Sequence, residues 1–192
     1  MNTITLATTP AAPKAARIRV WDLPTRLFHW LLVASFLTAF VTSESERWRD
    51  VHVVAGYSVA GLIAFRLLWG FIGNRHARFA DFVPTPTALL SYLRSLMSTR
   101  PQHFIGHNPA GAIAILLLLG LGLAAAASGW AVYEDIGGHT LEEVHEAASN
   151  GMMLLVGIHL AGVVVSSWLH RENLVRAMIT GWKNRTHENS AG

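Results

Sequence analysis

The 192-residue chain contains no cysteine. Disulfides, cysteine-ligated zinc, iron–sulfur clusters and thioether attachment of haem through C-x-x-C-H are therefore excluded. Charge is scarce as well: 14% of the residues are Asp, Glu, Lys or Arg, against 52% hydrophobic. The apolar residues come in blocks, which is the composition of a small integral membrane protein. Carboxylates are rare inside those blocks, which argues against a metal-ion permease built on paired acids and histidines.

Histidine, by contrast, is plentiful, with ten in the chain. His145 and His159 stand fourteen positions apart in VHEAASNGMMLLVGIHLAG. On a helix that interval is about 21 Å along the axis, and its rotation is roughly 40° short of a whole number of turns. Both imidazoles thus leave nearly one face, one near each side of an apolar layer about 30 Å thick. Ionisable side chains at such depth are costly and point to function.

Four spans are expected, over residues 27–42, 51–72, 110–132 and 143–168. The first carries His29 and Trp30 and lacks a small-x-small cleavage site, so it reads as a retained helix rather than a signal peptide. WDLPT, with Pro24, forms its entry. In the long connection 73–108, Thr85-Pro86-Thr87 reads as a helix start. Leu89, Leu90, Leu93, Leu96 and Met97 then recur at helical spacing, the pattern of a short interfacial helix. The third span is rich in Gly and Ala and has no histidine, which suits a scaffold that neighbours approach closely. A short amphipathic helix follows the fourth span. The expected fold is an all-α, four-helix membrane bundle over 21–185, with flexible tails at 1–20 and 186–192.

Charge sets the orientation. Of fifteen Lys and Arg, only Arg47 and Arg49 fall on the side of the two short loops, which also holds eight of the twelve acids. By the positive-inside rule both termini are cytoplasmic. The basic pI near 9.8 is this asymmetry, so no nucleic-acid partner is expected.

Topology then sorts the histidines by depth. His29 and His159 lie toward the cytoplasmic side, and His52 and His145 toward the outer side. Two such pairs across a bundle are what two bis-histidine b haems require; zinc would want a tighter cluster. Arg26 and Arg49 each stand three residues before a candidate ligand, on its helix face, where a haem propionate could pair with them. Arg66 follows His52 by fourteen and falls at the level of the inner pair. Gly56, one turn after His52, leaves room for a flat macrocycle. His139 and His170 are weaker rivals for the outer and inner ligands. His76, His103, His107, His170 and His187 are expected at interfacial or solvated positions. Without haem, the same histidines would only bond helices together in a non-redox membrane anchor or assembly subunit.

At these residues the chain resembles the bacterial cytochrome b561 family, in the branch that includes b-type subunits of nickel–iron hydrogenases. The matching stretches are VWDLPTRLFHW, HVVAGYSVAGLIAFRLLWGFIGNRHARFADF, GHNPAGAIAILLLLGL, VHEAASNGMMLLVGIHLAG and RENLVRAMITGWK, together about residues 18–185. The resemblance implies two non-covalent haem b groups with His29, His52, His145 and His159 as axial ligands. It implies electron transfer between quinone, an exchangeable substrate, and a periplasmic redox partner such as a c-type cytochrome or a hydrogenase. A superoxide:quinone oxidoreductase of the same fold is an alternative reading. A homodimer is a further expected assembly. Whether the chain counts as an enzyme depends on whether it reacts with quinone itself.

Overall fold

Helix α1 spans Leu23–Thr42, α2 Arg49–Ile72, α5 Pro109–Tyr133 and α6 Gly138–Leu169, in a computed structural model that describes residues 17–98 and 102–184. All four are long and apolar enough to cross a membrane. Their apolar windows are buried within the protein by only 6% for α6 to 22% for the α2 segment, so most of that surface needs lipid to cover it. The expected spans fall inside these helices, which run one to five residues further at one or both ends.

Local chemistry explains the starts. Asp22 accepts a hydrogen bond from the Thr25 backbone N–H at 2.9 Å, with Pro24 in the first turn of α1. Asn108 accepts from Gly111 N–H at 2.7 Å, and Pro109 opens α5. Each side chain satisfies a backbone donor that the helix itself leaves unpaired. Helix α6 instead starts from Gly137 and Gly138, at φ of 79° and 53°. A side chain there would be strained, so the tight reversal from α5 into α6 depends on this pair. At 32 residues α6 is about 48 Å long, and its first turns project past the apolar layer.

Helix α1 packs on α2, α2 on α5, and α5 on α6, while no comparable packing joins α1 to α6. Phe28 and Phe36 of α1, Val59 and Ile63 of α2, Leu119 of α5 and Met152 of α6 meet at the centre. Gly122 makes room there: a Cβ on it would lie 2.7 Å from Ile63 Cδ1.

The end of the bundle that carries both termini is closed by shorter elements. These are α3 (Phe79–Phe82), α4 (Pro86–Leu96) and α7 (Leu174–Thr180). Helix α4 is the expected interfacial helix: Tyr92 is buried against Phe104, while Leu90, Leu93 and Met97 are exposed. One feature departs from the all-α expectation. Arg17–Arg19 forms a strand, β1, paired antiparallel with β2, Trp182–Asn184. Residues 17–19 thus leave the expected N-terminal tail; the rest of that tail, 1–16, lies outside the described residues, as do His187 and the tail 186–192. Three-residue strands are too short to show a period of two in the sequence. Together with Val20, Trp21 and Ala177 they form a second small core beneath the four helices.

Candidate functional site

At the end away from the termini, the His52 and His145 rings face each other with centroids 6.1 Å apart and planes at 84°. His52 Nδ1 lies 2.8 Å from the Ala39 carbonyl of α1, and His145 Nδ1 lies 2.8 Å from the Ala125 carbonyl of α5. A carbonyl only accepts, so each Nδ1 carries the proton and each Nε2 keeps its lone pair for a metal. Two metal–nitrogen bonds of about 2 Å end to end, plus the radius of each ring, put trans imidazole centroids about 6 Å apart. The observed pair therefore fits axial ligation of one iron. Arg49, His52, Gly129 and His145 line a cavity of ≈380 Å³ at this end.

The third span thus does more than the scaffold role its sequence suggests. Its Ala125 carbonyl orients His145. Its Gly129 admits the ring, since a Cβ there would lie 2.7 Å from His145 Cε1 and 2.9 Å from Nδ1. The richness of this helix in Gly and Ala was visible in the sequence, but nothing marked Gly129 as facing a histidine.

At the terminal end, His29 of α1 and His159 of α6 are close enough to interact electrostatically. His29 packs edge-on to Trp30, centroids 5.0 Å apart. Its Nδ1 is closed to solvent and has no hydrogen-bond partner. This half-buried ring thus keeps one nitrogen enclosed without a protein partner, which a bound group beside it would relieve. Among the described residues no group of three or more His, Asp or Glu gathers as a metal cluster. Axial ligation of haem needs only two side chains per iron.

Other expected residues sort differently. Gly56 faces open space, as a flat ring needs, but Gly61, Gly120, Gly157 and Gly162 do so too. Arg26 donates to the Ile179 carbonyl at the end of α7 and so ties α1 to that helix. Arg66 is 3% exposed, with its guanidinium carbon 5.1 Å from the Phe79 ring centroid and 5.7 Å from that of Phe82. Of the rivals, His139 is exposed and pairs with Glu142 and Glu143 on the projecting turn of α6. His170 stacks on His103 at 4.9 Å. His103 in turn bonds Glu172, which Lys183 also pairs at 3.2 Å.

His107 sits at the boundary of α5, an interfacial position as the sequence suggests, but it is half-buried rather than solvated. Its ring is wedged between Trp21 and Phe82, at 4.5 and 4.6 Å, and its Nδ1 is closed to solvent. Burial first, then the neighbouring Arg66, Lys183, His76 and His159, push this imidazole down to about 3. The sequence placed it in a polar loop, and the strand pair that folds Trp21 over that loop left no periodic signal.

Asp22 holds the terminal end together. Besides capping α1, it accepts from Trp69 Nε1 at 3.0 Å and Asn74 Nδ2 at 2.9 Å. Burial alone would raise this carboxyl, but the bonds from Thr25, Trp69 and Asn74 outweigh it and hold the group below its ordinary 3.8. The stabilisation is complete above that ordinary value and is lost as pH falls through the lower folded value. Asp22→Ala removes the cap and orphans the Trp69 donor, a destabilisation of about 2 kcal/mol or more. Thermal melting in detergent should show the loss, with Asp22→Asn recovering part of it.

The model of the family described as prokaryotic cytochrome b561 matches residues 20–181. Two relatives carry the name probable Ni/Fe-hydrogenase B-type cytochrome subunit. The one from Azotobacter vinelandii is 25% identical, over 88% of this chain and 90% of its own length. The one from Rhizobium leguminosarum bv. viciae is 24% identical, over 85% and 87%. A probable Ni/Fe-hydrogenase 1 B-type cytochrome subunit from Escherichia coli is 25% identical over 60% of each chain. No solved structure matches. With the family model spanning all four membrane helices, this chain belongs to the prokaryotic cytochrome b561 family.

Proposed function

We propose that the chain is a transmembrane electron relay that holds two haem b groups, one between His52 and His145 and one between His29 and His159. The observation that carries this reading is the far-end pair, with both Nδ1 protons fixed on carbonyls and a 6.1 Å ring separation. Each haem, when bound, supplies a one-electron ferric/ferrous couple. His52 with His145, and His29 with His159, would each hold one haem from both sides, which would disfavour oxygen binding and favour outer-sphere transfer. Arg49, which lines the far-end cavity, would pair with a propionate there.

In this reading the terminal end is cytoplasmic, the membrane is the bacterial inner membrane, and the far end meets a periplasmic protein. The names of the relatives favour a nickel–iron hydrogenase as that protein. Quinone in the bilayer is the other redox partner. The decisive experiment is a haem-to-protein ratio on detergent-purified chain with a reduced-minus-oxidised spectrum. Two non-covalent, low-spin b haems per chain are expected. A colourless protein made with haem available would sink the relay and favour a non-redox anchor.

Glu44, Glu46, Asp50, Glu134, Asp135, Glu142, Glu143 and Glu146 give the far end an acidic face. It should steer a partner with a basic docking surface, with association slowing steeply as salt rises. Stopped-flow rates independent of ionic strength would count against that steering.

A further inference from the structure

The far-end histidines have partners for their Nδ1 atoms, whereas the terminal end keeps buried donors with none. Arg66 Nη1 is closed to solvent and unpartnered, on a side chain only 3% exposed. Phe79 and Phe82 cover its guanidinium. His107 shares the Phe82 ring with Arg66, and its Nδ1 is also closed to solvent and unpartnered. A buried cation left short of an acceptor is unfavourable, so an acceptor belongs beside it.

Asp22, which acts electrostatically on Arg66, leaves its Nη1 without a partner. Its two oxygens are taken by Thr25, Trp69 and Asn74. Glu172 is engaged by His103 and Lys183. No described group accepts from Arg66 Nη1, and an anion from outside the polypeptide that tolerates an aromatic box of Trp21, Phe79 and Phe82 would satisfy it. Arg66 follows His52 on α2 by the same fourteen residues, about 21 Å, that separate His145 from His159 on α6, and His52 faces His145, so the box lies at the level of the terminal-end histidine pair.

We infer that Arg66 and His107 together form a carboxylate site that holds a propionate of the haem between His29 and His159. The inference rests on the two-haem reading. Arg66 supplies the charge and His107 a second N–H, both pre-set by ring packing rather than by other hydrogen bonds. This is a positioning role, since neither side chain touches the iron.

The test is a potentiometric titration of the purified holoprotein with both haems resolved, first in wild type to establish two haems per chain. One haem or none in wild type would sink the two-haem reading itself and leave the box without its ligand. Ferric iron carries one more positive charge than ferrous, so a nearby cation favours reduction. Arg66→Gln should therefore lower the potential of one haem by about a tenfold change in its reduction equilibrium, about 59 mV for one electron. His107→Leu should shift the same haem in the same direction by less. His107→Gln, which keeps an N–H donor, should restore most of the difference. The affected haem should be the one lost in His159→Ala, and the double variant should shift by less than the sum of the singles, because both donors serve one carboxylate. Unchanged potentials, equal shifts in both haems, or shifts that appear only when quinone is added would overturn the inference. The last of these would assign the box to a quinone carbonyl.

Discussion

His145→Ala is expected to give a folded membrane protein with one haem in place of two. In the proposed relay the imidazole removed would be one of the two that hold the far-end haem, and the nearest rival on α6, His139, is not placed to replace it. His139 is six residues earlier and held at the surface by Glu142 and Glu143. His52→Ala should lose the same haem, since its ring is the other half of the 6.1 Å pair. His29→Ala and His159→Ala should lose the other haem and spare this one. The readout is the haem-to-protein ratio with the resolved α-band of each variant, and His139→Ala should match wild type. Retention of two haems in His145→Ala with loss in His139→Ala would mean that the outer ligand is the exposed histidine. Loss of both haems from every variant would remove the support for two separate pairs.

The depths of the four candidate ligands were legible in the sequence, His145 and His159 from their interval along one helix and His29 and His52 from the end of the span that each opens. A fourteen-residue separation fixes depth and face whatever the neighbours do. Arg66 was legible for the same reason, being placed by its distance from His52. The contacts that orient these groups were not legible. The carbonyls of Ala39 and Ala125 that hold the far-end Nδ1 atoms belong to backbone on other helices, and backbone carries no residue-type signal. The burial of His107 depends on Trp21 and Phe82 folding over a polar loop from distant parts of the chain. The Arg26 side chain points to the end of α7 rather than staying with its i+3 neighbour, because the β1–β2 pairing brings α7 beneath α1. Helical periodicity predicts what one helix does; the terminal-end cluster joins side chains from helix ends and loops far apart in the chain.

Gly129 tests that distinction. It is a glycine among many in an apolar helix, yet a Cβ there would come within 2.7 Å of the His145 ring. The ring could escape only by leaving its 2.8 Å bond to the Ala125 carbonyl, which sets the Nδ1 proton and aims Nε2. Loss of such an orienting contact weakens a metal site by about 10–100-fold. Gly129→Ala is therefore expected to weaken far-end haem binding by that amount, seen as partial occupancy when haem is limiting. Gly129→Val, with a branched Cβ, should empty the site while leaving the His29–His159 haem in place. Gly120→Ala is the control on the same helix, because a Cβ there meets nothing within 4 Å. Full occupancy in Gly129→Val would show that His145 can turn freely, and that the Ala125 contact does not set the ligand's direction. Equal losses in Gly120→Ala and Gly129→Ala would point to general loosening of α5. A loss confined to Gly129 and to the far-end haem ties the third helix, which has no ligand of its own, to the aim of one on the fourth.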